Sequence, residues 1–311
     1  MYEMRKNNII KKITDSIFNP KLRFSYLTEL GMTKWLSDEI FIKKQFKYTM
    51  GYDLNLENPK TYNEKLQWLK LYDRNPAYTV MVDKYAVKQY VSDIIGDEYL
   101  IPTLGVWDRP EDIDFDALPD QFVLKCTHDS GGLVICKGKK NFDKSKAIAK
   151  IKTCLKRKYF YIHREWPYKN VRPRVIAEQY MEDSETGELR DYKFFCFNGE
   201  VRALFIASER QSKSTETRFD FFDADFNHLP ITNGHPNADT PPQKPKCFEE
   251  MKRLASLLSK NIPHVRVDFY EVNGRVYFGE LTFSHWSGFV PFSPKEWDYT
   301  FGSWIILPEK K

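Results

Sequence analysis

Apolar and polar positions alternate on both sides of Asn273–Gly274, in VRVDFYEV (265–272) and RVYFGELT (275–282), which predicts two strands closed by a tight turn. The same period of two about Asn198–Gly199 predicts a second hairpin, Leu189–Phe197 with Glu200–Ala207. Short apolar runs predict further strands in YLIPTLGVW from Tyr99, in FVLKC and LVIC on either side of Asp129–Gly132, in Val175–Met181 and in Phe219–Phe222.

Elsewhere the period changes to that of a helix. Helices are predicted over Leu36–Met50, over Asn63–Tyr72 with Thr61 and Glu64 as a capping box, over Phe142–Tyr161 and over Phe248–Leu258. Pro76–Ile95 carries Val80, Val82, Ala86, Val87, Tyr90 and Val91 on an expected apolar face, ends at Gly96, and is interrupted by the polar pair Asp83–Lys84. Ile9, Ile10, Ile13 and Ile17 recur at helical spacing among basic residues, so the first eighteen residues can form a basic amphipathic helix. Such a helix either packs on the protein's own core or lies on a membrane surface. A turn at Thr186–Gly187 and polar stretches at Gln211–Thr217 and Thr232–Lys246 read as connections. Strands and helices in this mixture predict a packed α/β or α+β protein.

Composition narrows that picture. A chain of 311 residues with 15% aromatics and 14 glycines has enough apolar mass for two lobes. No apolar run reaches the length of a membrane span, and the N-terminus lacks a secretory pattern, so the expected location is the cytoplasm or the inner face of its membrane. Five scattered cysteines without a CxxC pair are expected to be reduced, and the six histidines form no zinc pattern. The net charge is +5, and residues 1–50 account for all of it, with ten Lys or Arg against five acids. An anionic neighbour suits that segment, and membrane lipid suits it better than nucleic acid, for which no module is recognisable.

Three groups of residues then suggest chemistry. Lys125 ends a strand facing the Ser130–Gly131–Gly132 loop, where bare backbone N–H groups and an ammonium suit phosphate; a plain hairpin with glycine in its turn gives the same pattern. Asp268 stands five residues before Asn273 and Glu280 six after Gly274, which brings two carboxylates together as a hard cation carrying phosphates would need. Whether they share a face depends on register, and a salt-bridged hairpin is the plainer reading. Arg266 lies on the face of Asp268, and Asp191 on that of Lys193. The loop HREWPYKNVRPR offers Arg164, Lys169, Arg172 and Arg174 with Trp166 and Tyr168 to an anionic polymer or sugar, or else forms a solvated face.

In this order PKTYNEKLQWLKLYDRNPAYTVMVDKYAVKQYV, FVLKCTHDSGG and DYKFFCFNGEV resemble the TupA-like ATP-grasp family, associated with teichuronopeptide and other cell-surface polysaccharides. The resemblance implies an ATP-grasp fold in which two α+β lobes hold ATP, preceded by a helical N-terminal region. The expected organisation is a basic helical region (1–75), a leading segment (76–122), an N-terminal lobe (123–187) and a C-terminal lobe (188–311).

By resemblance Lys125 meets the α- and β-phosphates, Ser130, Gly131 and Gly132 form the lid, and Glu178, Gln179 and Tyr180 meet adenine. Asp191 falls near the ribose, Lys193 near phosphate and Arg266 near the γ-phosphate, while Lys84 opens the nucleotide region. Asp268 and Glu280 would hold magnesium, with Thr282 where the family usually has Asn. Ser284, His285, Trp286 and Ser287 follow as groups that could orient an acceptor, although His285 reads equally well as a packed loop histidine.

The implied reaction is ATP-dependent joining of a carboxylate to an amine through an acylphosphate. The implied partners are a carboxylate-bearing sugar or polysaccharide precursor and an amine such as an amino acid. Two other readings remain open: a glycosyltransferase using Asp223–Ala224–Asp225, and a non-catalytic nucleotide-dependent scaffold.

Overall fold

The computed structural model describes residues 19–185, 187, 189–209 and 216–310. The expected helix over residues 1–18, Thr186 of the expected turn and most of the 211–217 connection lie outside the described residues. The helices in chain order are α1 (Pro20–Glu29), α2 (Asp38–Met50), α3 (Tyr62–Tyr72), α4 (Ala77–Val82), α5 (Val87–Ile95), α6 (Lys144–Leu155), α7 (Phe160–His163), α8 (Phe248–Leu258) and α9 (Glu296–Trp304). None of the described helices is long and apolar enough to cross a membrane.

Two antiparallel sheets carry the architecture. The smaller contains β1 (Thr103–Trp107), β2 (Phe122–Cys126), β3 (Leu133–Cys136) and β4 (Val175–Gln179) in the order β1-β4-β2-β3. The larger contains β5 (Asp191–Phe197), β6 (Glu200–Ser208), β7 (Arg218–Asp223), β8 (His228–Leu229), β9 (Val265–Val272) and β10 (Arg275–Thr282) in the order β10-β9-β5-β6-β7-β8. Both Asn-Gly turns form as the sequence predicts, with Asn198, Gly199, Asn273 and Gly274 all at positive φ.

Period-two alternation sorts the large sheet into two cores. Phe194 and Cys196 face α4, α5 and α8, while Phe195 and Phe197 face α3 and α9. Both faces of β5 are buried, which is why it reads as an almost unbroken apolar run after Lys193. In the small sheet Phe122, Leu124 and Cys126 of β2 and Val175 and Ala177 of β4 pack on α6. Their neighbours Lys125 and Glu178 therefore point to the opposite face. α3 carries the predicted capping box, with both the Thr61 and Glu64 bonds formed.

Several elements differ from the sequence reading. Pro76–Ile95 is two helices, because Asp83 Oδ1 accepts the N–H groups of Tyr85 and Ala86 and its Oδ2 accepts from Arg174 at 2.8 Å. Val80, placed by periodicity on the apolar face, is exposed. The helix expected over Phe142–Tyr161 starts only after Asp143, whose side chain caps it, and stops at Leu155 before the Lys-Arg-Lys run. In YLIPTLGVW only Thr103–Trp107 pairs as a strand. α1 was not predicted; Asn19 accepts from the N–H groups of Lys21 and Leu22, and Pro20 opens the helix.

The basic loop is used internally as well. Arg164 is buried against Phe41 and Tyr161, donating to Thr33 O at 3.0 Å, while Arg172 pairs with Asp108 and Arg174 with Asp83. The described cysteines are all free thiols.

Candidate active site

The open face of the small sheet and the polar half of the large sheet border one cleft. Lys84, Lys125, Ser130, Gly131, Gly132, Glu178, Asp191, Lys193 and Glu280, all singled out from the sequence, line it. Gln179 and Tyr180 are not part of that lining: Tyr180 hydrogen-bonds Glu182 and its ring lies under Lys137. Arg266, Asp268 and Thr282 form a network beneath the floor.

On the small-sheet side the 129–132 turn is held from both ends. Lys84 Nζ donates to Asp129 O at 2.7 Å, and Gly132 N–H donates to Asp129 Oδ1 at 3.1 Å. A Cβ on Gly132 would stand 2.6 Å from Cys126 Sγ, so the loop folds this tightly only around glycine. The break between α4 and α5 brings Lys84 here: its own N–H bonds Thr127 O at 3.1 Å, tying the break to the end of β2.

Glu178 bridges two lysines, with Lys88 Nζ at 2.5 Å and Lys125 Nζ at 2.7 Å. Burial pushes its carboxyl up, but Lys125 and Lys88 outweigh that and hold it below the usual range, so it stays ionised. The cleft contains about 190 Å³ of free space, and these ion pairs cross it. Lys88 escaped the sequence reading; its signal was its place one helical turn after Lys84. Arg157 escaped it too. Its Nη1 lies 3.7 Å from Asp129 Oδ2 and 3.3 Å from where a Cβ on Gly131 would be, with only a basic run in the sequence to mark it.

On the large-sheet side a bulge settles the register. Glu280 pairs opposite Asp268, and the extra residue between Phe278 and Glu280 is Gly279. Val276, Phe278 and Leu281 join the α8-side core, a step of two followed by a step of three. The bulge thus turns Glu280 and Thr282 to the face that bears Arg266 and Asp268. There Arg266 Nε and Nη2 each lie 2.7 Å from an Asp268 oxygen, and Lys193 Nζ lies 2.5 Å from Asp268 Oδ2 and 3.2 Å from Asp191 Oδ1.

These charges set one another's protonation. Burial raises the Asp268 carboxyl, but Arg266 and Lys193 more than reverse that and hold it below the usual range. Burial lowers the Lys193 ammonium against the pull of Asp268, leaving it below its ordinary value. Burial opposes the Arg266 charge too, but Asp268 outweighs it and the guanidinium is held more firmly protonated than usual.

Magnesium fits this donor set in a restricted way. It keeps several waters and takes one or two carboxylates together with substrate phosphates. Glu280 provides an accessible carboxylate, its side chain 40% exposed. Asp268 is fully buried, with both oxygens engaged by Arg266 and Lys193, and Thr282 Oγ1 accepts from Arg266 Nη2 at 3.0 Å and lies 3.4 Å from Glu280. Glu280 is therefore the carboxylate that could reach such a cation, Thr282 lies beside it, and Asp268 ties down Arg266 and Lys193 around it. Among the described residues no cluster of three or more His, Cys, Asp or Glu forms a metal site without a substrate.

One open alternative closes here. His285 is buried, with Nδ1 2.7 Å from Arg266 Nη1 and Nε2 2.9 Å from Asn233 Oδ1, so it is the packed loop histidine. Asp223 of the Asp223–Ala224–Asp225 motif accepts from the N–H groups of Asp225 and Asn227 and from Asn227 Nδ2, while the Asp225 carboxylate stays exposed, 3.8 Å from Lys252.

A family model described as TupA-like ATPgrasp matches residues 64–306. No curated protein matches the chain. Among solved structures, D-alanine–D-alanine ligase from Bacillus anthracis in complex with ATP is similar at 15% identity and TM-score 0.37, covering 65% of this chain and 53% of that one. The corresponding ligase from Helicobacter pylori is similar at 12% identity and TM-score 0.42 (80% and 70%), and an L-amino acid ligase from Bacillus licheniformis at 12% and 0.43 (71% and 48%). The chain thus spans little more than half the length of the first of these.

Proposed function

This chain belongs to the TupA-like ATP-grasp family, and from that membership we propose that it is an ATP- and magnesium-dependent ligase joining a carboxylate to an amine. One observation carries the reading: four lysines, a glycine-bearing turn and an accessible glutamate converge on one cleft between two sheets. Cations and bare backbone N–H groups suit a triphosphate, while Val87, Leu100, Ile101 and Leu133 give the same cleft an apolar wall for a base.

In the proposed reaction a carboxylate oxygen of the acid attacks the γ-phosphorus, the bond to the ADP oxygen breaks, and an acylphosphate forms. The amine nitrogen then attacks the acyl carbon, phosphate leaves with the bonding electrons, and the amine sheds a proton. Lys84 and Lys125 hold the phosphates against the 129–132 turn, with Lys125 exchanging Glu178 for phosphate. Lys193, positioned by Asp268 and Asp191, faces the charge that develops on transfer, and Arg266 locks that arrangement from below. Glu280 would hold the magnesium ion, which when bound would further neutralise the phosphate charge. No protein nucleophile is needed.

The acid is proposed to be a uronate or similar carboxylate of a cell-surface polysaccharide precursor, and the amine an amino acid. A thermal-shift comparison tests the nucleotide assignment: Mg-ATP should raise the melting temperature and a panel of sugar nucleotides should not. Stabilisation by a sugar nucleotide alone would favour a glycosyltransferase instead.

A further inference from the structure

A second cavity of about 750 Å³ lies between α1, α2 and the 153–163 segment, away from the nucleotide cleft. Its charge is one-sided. Lys21, Lys34, Lys156, Arg157 and Lys158 line it, all exposed, against the single acid Glu29. Lys21, Lys156 and Lys158 make no ion pair among the described residues, and Lys34 only overlies the Tyr161 ring at 5.5 Å. Aromatic rings complete the wall: Phe24 and Tyr48 meet at 5.5 Å, and Tyr161 stands beside them, all half-buried.

Arg157 connects this groove to the proposed chemistry, since its guanidinium stands over Gly131 and 3.7 Å from Asp129 of the phosphate turn. A ligand extended along the groove would bring one end to that guanidinium. We propose that the groove binds the acid substrate, an oligosaccharide bearing several uronate carboxylates, and delivers its terminal carboxylate past Arg157 to the nucleotide. The substrate class rests on the ligase reading. The groove itself supplies the remainder: spaced ammoniums match carboxylates repeated along a chain, and half-buried rings offer faces on which the apolar sides of sugar rings stack. A nucleic acid would use the same charges, and the oligonucleotide arm of the test separates the two.

The test titrates the full chain, without nucleotide, with fluorescently tagged oligogalacturonate, and in parallel with neutral dextran, poly-L-glutamate and a single-stranded oligonucleotide. Binding of oligogalacturonate that weakens with salt and exceeds that of the other three is expected. The triple variant K34E/K156E/K158E should lose at least about tenfold in that affinity, while keeping its circular dichroism spectrum and its thermal stabilisation by Mg-ATP. Should the triple variant misfold, Lys156→Gln with Lys158→Gln reads the same loss more gently. Unchanged affinity in the folded variants, or equal or tighter binding of polyglutamate or the oligonucleotide, would overturn the proposal. Because ATP is absent, the two readings fail separately: oligogalacturonate binding without Mg-ATP binding sinks the ligase, and the converse sinks the groove.

Discussion

Arg266 shows how a single residue can hold a polar network together. It is buried, its two nitrogens match both Asp268 oxygens, and it also meets His285 and Thr282. Removing it would leave a buried carboxylate paired only through Lys193, so Arg266→Ala should destabilise the chain by about 3–5 kcal/mol in urea unfolding. Glu280 is the contrasting case. With its side chain 40% exposed, Glu280→Gln should leave the melting temperature almost unchanged yet lower ADP release by about a hundredfold or more. A scaffold would keep its cellular function with that substitution, which separates the scaffold reading from the ligase. Most of these side chains were legible from the sequence because they interrupt apolar strands, where a charge stands out. Lys88 and Arg157 were not: Lys88 stands on an amphipathic helix whose exposed face is expected to be polar, Arg157 lies in the basic run 156–158, and only the folded chain brings each to the cleft.

At the level of elements, one inserted residue decides the site. Counting from the Asn273–Gly274 turn left Asp268 and Glu280 one position out of step, and strict alternation would have put Glu280 with Phe278 on the α8-side core. The bulge at Gly279 absorbs the extra residue. Sequence shows the glycine but not which strand will yield to keep the register. The break at Asp83 is similar: the apolar face of Pro76–Ile95 was visible, whereas the tie between Asp83 and Arg174 is a contact 91 residues apart. The 129–132 turn gives the prediction at this scale. Gly132→Ala would drive a methyl group onto Cys126 Sγ, in the packed interior beneath the turn. It should weaken Mg-ATP binding by at least about tenfold while the chain still folds, as isothermal titration and circular dichroism would show.

For the whole molecule, buried neutral histidines predict its response to acid. His264 Nδ1–H donates to Cys196 O at 3.0 Å and its Nε2 accepts from Tyr62 at 2.9 Å, and burial pulls its pKa down to about 3. His285, buried and facing Arg266, is held well below its usual value as well. In both, the folded pKa lies below the unfolded one, so between those values the unfolded chain binds more protons and stability rises with pH. Their contribution is complete above about pH 6.5 and declines as pH falls, by about 2 kcal/mol for His264 at pH 5. Urea titrations at pH 7, 6 and 5 should show that decline, and a flat profile would contradict the burial of these rings. The α+β class and the family resemblance were both readable before any coordinates, because the motifs follow one another along the chain. The wrapping of α3 and α9 over one face of the large sheet was not, since it joins segments more than 200 residues apart.

The proposed ligase couples ATP cleavage to amide formation in this cleft. Its most direct test incubates the purified chain with ATP, magnesium and pairs of uronate acids and amino acids, following both nucleotide products. ADP and phosphate are expected in equal amounts, released only when acid and amine are both present, and lost in Lys125→Ala and Glu280→Gln. Release of AMP, or ADP release that ignores the acid, would contradict it.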